Sequence, residues 1–223
     1  VQLVGAKEET LREVRGGGVA VVFQDPYSAL NPLRTIGSVV TEALRPPAKG
    51  NEARERVVEL LDAVGLPNPE TMVNRYPHEL SGGMCQRVLI ATALASNPTM
   101  LIADEPTSSL DVTLQAEVLA LLGDLVRSRG LAMILISHDL AVVADFADRV
   151  MVLVGGKVVE EGPVEQVIHN PVHPCTRSLL ASVPVIGRPT GTRFFTLPEP
   201  KSDEQLPEKA GHEWCTFANR CPY

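Results

Sequence analysis

The hydrophobic residues of this chain follow two alternating patterns. Short continuous apolar runs lie at residues 18–23, 100–103 and 131–136, and each ends at polar residues. Apolar runs of this length favour buried strands, and the run at 131–136 is typical of a parallel strand covered on both faces. Helical segments lie between the runs, so the pattern predicts an α/β fold.

Four segments carry apolar residues at helical spacing, with proline or glycine a few residues after each, as expected at helix ends. They lie at residues 36–44, 57–64, 86–95 and 114–125. Near the end of the chain, two strand-like runs flank Gly155 and Gly156. A pair of glycines between such runs predicts a β-hairpin.

Two adjacent carboxylates, Asp104 and Glu105, directly follow the apolar run at 100–103. Open α/β sheets bind ligands at the carboxyl ends of their strands. An aspartate at that position can hold a hydrated Mg²⁺, and a neighbouring glutamate can orient and deprotonate a water for phosphoryl transfer. The alternative is an ordinary Asp-Glu pair that begins a turn.

A second candidate site is the start of the helix at 86–95, where Ser81 precedes Gly82 and Gly83. A hydroxyl and two amides without side chains at a helix N-terminus make a good site for an anion. A simple N-cap is the alternative, but a cap needs only the serine.

In this order, Leu80-Ser81-Gly82-Gly83, Asp104-Glu105, Ser109-Leu110-Asp111 and His138 resemble the motifs of the ATP-binding subunits of ABC transporters. The resemblance implies a RecA-like P-loop NTPase core with a helical subdomain and a C-terminal extension. We expect four parts: residues 1–30 with the Q-loop, 31–97 as the helical subdomain, 98–170 as the second half of the core, and 171–223 as the extension. ATP and Mg²⁺ are the implied cofactors.

The resemblance implies roles at the chain's own ATP. Gln24, which follows the first apolar run, matches the Q-loop glutamine that reaches the metal and the attacking water. Asp104 holds Mg²⁺ through water, and Glu105 is the catalytic base. His138 matches the switch histidine, which contacts the γ-phosphate.

It also implies roles at a second ATP. In the family, two nucleotide subunits pack head to tail, so Ser81, Gly82 and Gly83 bind the ATP of the partner. Asp111 joins the two sites. The partner is a copy of this chain or a paralogue.

One family motif is missing. A phosphate-binding loop of the form G-x-x-x-x-G-K-[ST] is absent, and the glycines at 16–18 lack the lysine and the hydroxyl. We therefore interpret the sequence as a fragment whose first strand, Walker A loop and base-stacking aromatic residue lie upstream. On this interpretation the 223-residue chain by itself neither binds Mg-ATP appreciably nor hydrolyses it.

The C-terminal part resembles a narrower group, the importers of dipeptides, oligopeptides and nickel. Residues 170–180 are similar to the extension of that group, and Cys215 and Cys221 are similar to the cysteine-containing end of some members. Such ends can carry a [4Fe–4S] cluster on four cysteines. Only two are present here, so two unliganded cysteines are the alternative.

The composition of the chain excludes some classes of function. The net charge of −7 and pI near 5.3 argue against nucleic-acid binding. No apolar run is long enough to cross a bilayer, and no signal peptide is visible. The four cysteines are scattered along the chain, which favours a reducing compartment.

Together these features predict the ATP-hydrolysing subunit of an importer for peptides or a similar small solute, on the cytoplasmic face of the membrane. Transmembrane permease subunits are its expected partners, and a solute-binding protein is an indirect one. Two alternatives stay open: an ABC ATPase without a transport function, acting on DNA or ribosomes, and a catalytically inactive regulatory module.

Overall fold

The computed structural model describes residues 2–183, 215 and 217–221. The chain divides into two compact units, Val1–Ile136 and Ser137–Tyr223, which are taken separately below. Among the described residues, no helix combines the length and the apolar character that crossing a membrane requires.

A three-stranded parallel sheet lies at the centre of the first unit. Its strands are β1 (Val19–Val22), β2 (Met100–Asp104) and β3 (Ala132–Ile136), in the order β1-β2-β3. These elements confirm the three strands predicted from the apolar runs. Because the strands are parallel, the residues that end β2 and those that follow β1 and β2 in the chain (23–24 and 104–105) lie at the same edge of the sheet.

One face of this sheet is buried and the other is not. Ala20, Val22, Leu101 and Ala103 are buried. The opposite face carries Ile134, which is 43% exposed and is in register with Ile102 on β2. The prediction that residues 131–136 are covered on both faces is therefore wrong. A continuous apolar run shows that a strand avoids polar residues, but the layers around it decide which faces are covered.

The helices of the first unit confirm the predicted helical segments. They are α1 (Glu8–Glu13), a π-helical turn (Val14–Gly18), α2 (Pro26–Ala29), α3 (Ile36–Ala43), α4 (Gly50–Ala63), α5 (Pro69–Met72), a 3₁₀ turn (Pro77–Glu79), α6 (Gly82–Leu94) and α7 (Val112–Arg129). Local signals explain their ends. Thr35 caps α3 through Ser38 N–H, and α7 ends at Gly130 in the left-handed region with φ of 62°.

Helix α3 approaches the end of α5 closely at Gly37. The Gly37 N–H donates a 2.9 Å hydrogen bond to the Val73 carbonyl oxygen. A Cβ built on Gly37 would lie 2.8 Å from that same oxygen, and backbone cannot give way as a flexible side chain can. The absence of a side chain is therefore what lets the two segments meet.

We expect Gly37→Ala to destabilise the protein by about 1–3 kcal/mol, the usual cost of overpacking. The gain in helix propensity from alanine, about 1 kcal/mol, offsets only part of the clash. Urea denaturation measures the change. As a control, Glu59→Ala on the exposed side of α4 should stay within about 0.5 kcal/mol of the unchanged protein. Equal stability of the two variants would contradict the close approach at Gly37.

The second unit contains a hairpin with helices after it. Its elements are α8 (Leu140–Phe146), β4 (Arg149–Val154), β5 (Lys157–Pro163), α9 (Val164–His169), α10 (Pro174–Ser182) and a 3₁₀ turn (Ala218–Arg220). β4 and β5 pair antiparallel around Gly155 and Gly156, whose φ angles are 55° and 77°. This confirms the predicted hairpin, since positive φ at both turn positions is what a type I′ turn requires.

Glu160 on β5 forms hydrogen bonds with the backbone of the segment that leads into α10. Its carboxylate accepts hydrogen bonds from the backbone N–H groups of Val172 at 2.7 Å and His173 at 3.1 Å. Burial alone would raise the pKa of Glu160, but the hydrogen bonds to its charged form outweigh burial and the pKa is lowered.

Candidate functional site

The candidate site lies at the carboxyl end of the sheet in the first unit. Gln24 follows β1, and its Nε2 donates a 2.8 Å hydrogen bond to Glu105 Oε2 at the end of β2. The two residues are 81 positions apart in the sequence. The structure thus brings together two of the predicted site residues, because their strands are neighbours in a parallel sheet.

The backbone at Glu105 has an uncommon conformation. Its φ is +43°, in the left-handed region that residues other than glycine rarely adopt. Two backbone hydrogen bonds hold it there: Glu105 N–H donates to Ile136 O at 3.0 Å, and Ser108 N–H donates to Glu105 O at 3.2 Å. Strain of this kind is concentrated at functional sites, where the surrounding structure maintains it.

Asp104 is the last residue of β2 and is half-buried. Because Gln24 Nε2 donates its hydrogen bond to Glu105, the other amide atom, Gln24 Oε1, is available to bind a cation or a water on that cation. A carboxylate and an amide oxygen at one sheet edge are hard oxygen donors, the kind that Mg²⁺ prefers. The chemistry of these donors therefore fits Mg²⁺ bound partly through water.

The start of α6 is the second part of the candidate site. Ser81 is the N-cap, and its hydroxyl accepts a long 3.4 Å hydrogen bond from Met84 N–H. Ser81 is exposed, Gly82 is half-buried and Gly83 is buried. The exposed tip leaves the serine hydroxyl open to a ligand, while Gly83 has a packing role. A Cβ built on Gly83 would lie 3.2 Å from Leu114 on α7.

Two neighbours of this helix start were not anticipated from the sequence. The Tyr27 hydroxyl donates to Leu80 O at 3.3 Å, and Leu110 lies 3.8 Å from where a Gly82 Cβ would be. Tyr27 lies only three residues after Gln24, and Leu110 directly precedes Asp111. In the sequence, only their nearness to Gln24 and Asp111 could have pointed to these two residues. Contacts between residues so far apart along the chain leave no periodic pattern of hydrophobic positions.

Asp111 has a clear local function in the structure. Its Oδ1 accepts hydrogen bonds from Thr113 N–H at 3.1 Å and Leu114 N–H at 3.0 Å, so it caps α7. The cap holds α7 where Leu114 packs against Gly83. The predicted role of Asp111 between two ATP sites stays a prediction.

Two residues of α6 next to the tip have structural roles. Cys85 is completely buried, and burial raises the pKa of its thiol. The Arg87 guanidinium donates hydrogen bonds to Val64 O at 2.7 Å and to the Glu117 carboxylate at 2.9 Å. Its charge is thus partly neutralised within the first unit.

The predicted switch histidine belongs to the second unit. His138 lies two residues after β3 and precedes Asp139, which caps α8 through Ala141 N–H. Its contact with a γ-phosphate stays a prediction.

The structure describes both of the cysteines that were predicted as iron–sulfur ligands. Cys215 is exposed, with its Sγ 3.5 Å from His173 Nε2, and Cys221 is half-buried. Within residues 2–183, 215 and 217–221, no group of three or more His, Cys, Asp or Glu residues is placed to hold a metal. Because a [4Fe–4S] cluster normally takes four thiolates, the described residues do not provide its ligands.

Comparisons with known proteins agree with the motifs. Residues 4–108 match the family described as ABC transporter, and residues 159–223 match the C-terminal region of oligopeptide and dipeptide transporters. Both of the matched families are thus transporter families.

Individual relatives point the same way. A peptide import ATP-binding protein of Brucella ovis is 46% identical over 100% of this chain and 67% of its own length. The oligopeptide transport ATP-binding protein OppD of Bacillus subtilis is 45% identical over 99% of this chain and 61% of its own length.

A solved structure supports the fold. The ATP-binding cassette MJ0796, a dimer in a post-hydrolysis state bound to ADP and Pi, is 32% identical with a TM-score of 0.63. The match covers 74% of this chain and 70% of that one.

Proposed function

Because this chain belongs to the ATP-binding subunits of ABC transporters, we propose that the full-length protein hydrolyses ATP to power the uptake of peptides or a similar small solute. Its relatives named for peptide import and oligopeptide transport support the solute class. The C-terminal match to oligopeptide and dipeptide transporters is a second, independent support.

One observation carries the chemistry of this proposal: the hydrogen bond between Gln24 and Glu105 beside Asp104. The Glu105 carboxylate accepts the proton of the attacking water, and the Gln24 amide holds that carboxylate in one orientation. Asp104 and the Gln24 amide oxygen would hold Mg²⁺, whose charge would offset that of the phosphates. For His138 we propose contact with the γ-phosphate.

The exposed start of α6 serves a different ATP. Ser81, Gly82 and Gly83 present a hydroxyl and backbone N–H groups at a helix N-terminus, where a phosphate is favoured. In a head-to-tail dimer these groups contact the ATP of the second subunit, and Asp111 lies between the two sites. The dimer of the similar ATP-binding cassette supports this arrangement.

The remaining partners follow from this function. Permease subunits bind the chain at the cytoplasmic face of the membrane, and a solute-binding protein delivers the solute to them. The named transport relatives support this assembly.

Reconstituted transporter tests the function directly. We expect ATP-dependent accumulation of labelled peptides in proteoliposomes, and Asp104→Asn should reduce both uptake and ATP turnover about tenfold or more, since it removes a charged ligand of Mg²⁺. Asp124→Asn, on the exposed side of α7, is the matched control and should leave both rates unchanged. ATP turnover without uptake of any peptide would favour an ABC ATPase with another task.

A further inference from the structure

Tyr27 connects two segments that lie far apart in the sequence. Its hydroxyl donates a hydrogen bond to Leu80 O at 3.3 Å, and Leu80 directly precedes Ser81 at the start of α6. The Tyr27 ring lies against Gly82 as well, since a Cβ built there would be 3.9 Å from Tyr27 Cε2. A single side chain thus contacts the turn that presents the proposed phosphate-binding groups.

The segment that carries Tyr27 also carries Gln24. Only Asp25 and Pro26 separate the two residues. Asp25 Oδ1 accepts a 3.0 Å hydrogen bond from Tyr27 N–H, and Pro26 opens α2 with a fixed φ. The cap and the proline restrain the backbone between Gln24 and Tyr27. The two residues therefore belong to one hydrogen-bonded turn.

The Gln24 side chain links this segment to the proposed catalytic base. Gln24 Nε2 donates to Glu105 Oε2 at 2.8 Å, so the chain of contacts runs from the proposed catalytic base to the start of α6. Partial burial, together with the neighbouring Cys85 thiol, raises the pKa of Tyr27 above its ordinary value of 10.0.

We propose that Tyr27 is a positioning residue that couples the Gln24–Glu105 pair to the turn at Leu80-Ser81-Gly82, and so couples the two ATP sites of the dimer. The coupling rests on the proposed function, in which Glu105 acts on the chain's own ATP and Ser81 binds the ATP of the partner. Tyr27 then places the α6 tip according to the state of the Gln24–Glu105 pair.

Although Tyr27 as a residue is 52% exposed, its hydroxyl makes a part-buried hydrogen bond, so the test controls for stability. It uses a mixed dimer whose two full-length protomers carry different tags. One protomer carries Glu105→Gln, which silences its own ATP site. The remaining active site combines Glu105 of the partner subunit with the α6 tip of the variant protomer. Adding Tyr27→Phe to that same protomer should lower turnover at the remaining site about fivefold.

A purely structural role predicts something else. Loss of one part-buried hydrogen bond should shift Tm by about 4 °C or less, and the fivefold loss is expected with Tm inside that range. Tyr76→Phe in the same protomer is the control, because Tyr76 stacks on His78 in the neighbouring 3₁₀ turn and should leave turnover unchanged.

Each outcome is informative. Turnover within about twofold of the Glu105→Gln mixed dimer would overturn the coupling and leave the proposed function intact, because the sites would still hydrolyse ATP. A dimer of unmodified full-length protomers without ATP hydrolysis would overturn the proposed function, and the coupling with it.

Discussion

Glu105→Gln is expected to lower ATP turnover of the assembled transporter by about 10²- to 10⁴-fold, the usual contribution of a general base. ATP binding should persist. Glutamine has the shape of glutamate, and its amide oxygen still accepts the hydrogen bond that Gln24 Nε2 donates at 2.8 Å. The substitution thus removes the proton acceptor while the arrangement of the site is kept.

Two measurements separate these effects. Release of phosphate under saturating ATP gives turnover, and equilibrium binding of a labelled nucleotide gives affinity. Glu59→Gln, an exposed carboxylate on α4, is the matched control and should leave both unchanged. Unchanged turnover in Glu105→Gln would exclude Glu105 as the base, whereas a loss of binding would indicate a role in holding the nucleotide.

Gly82→Asp is the second change with a large expected effect, a loss of turnover of about 100-fold in the assembled dimer. The introduced carboxylate would lie near a phosphate of the partner's ATP. At a separation of about 6 Å and an effective dielectric constant near 20, these two negative charges repel by roughly 3 kcal/mol. The same charge should be neutral or favourable for the fold, because acidic residues in the first turn of a helix interact well with its dipole. Activity and stability are therefore expected to respond in opposite directions.

The neutral variant Gly82→Asn is the matched control for this charge. A Cβ at Gly82 meets nothing closer than 3.8 Å, so both side chains can be attached without a backbone clash. Asparagine should cost less than about tenfold in turnover, since it adds bulk without charge. Thermal unfolding monitors the fold of both variants. Equal losses in Asp and Asn would show that bulk, and not repulsion of a phosphate, explains the effect.

Local signals explain how much of the site was predictable. Asp104 and Glu105 follow an apolar run whose length favours a short strand, and Ser81 has the side chain of an N-cap. The Gly155-Gly156 turn likewise needs only its own conformational freedom. Each of these predictions depends on residues within one turn or one strand of each other.

The sequence by itself thus determined the three strands of the sheet, the hairpin, four of the helices, and the polar residues that stand at the ends of these elements. Only the tertiary structure decided that Gln24 bonds to Glu105, that Tyr27 reaches Leu80, and that Arg87 pairs with Glu117. It also decided that Ile134 and its neighbours form an exposed sheet face. The physical reason is that hydrophobic periodicity reports the local environment of an element, whereas contacts between distant side chains depend on which elements become neighbours.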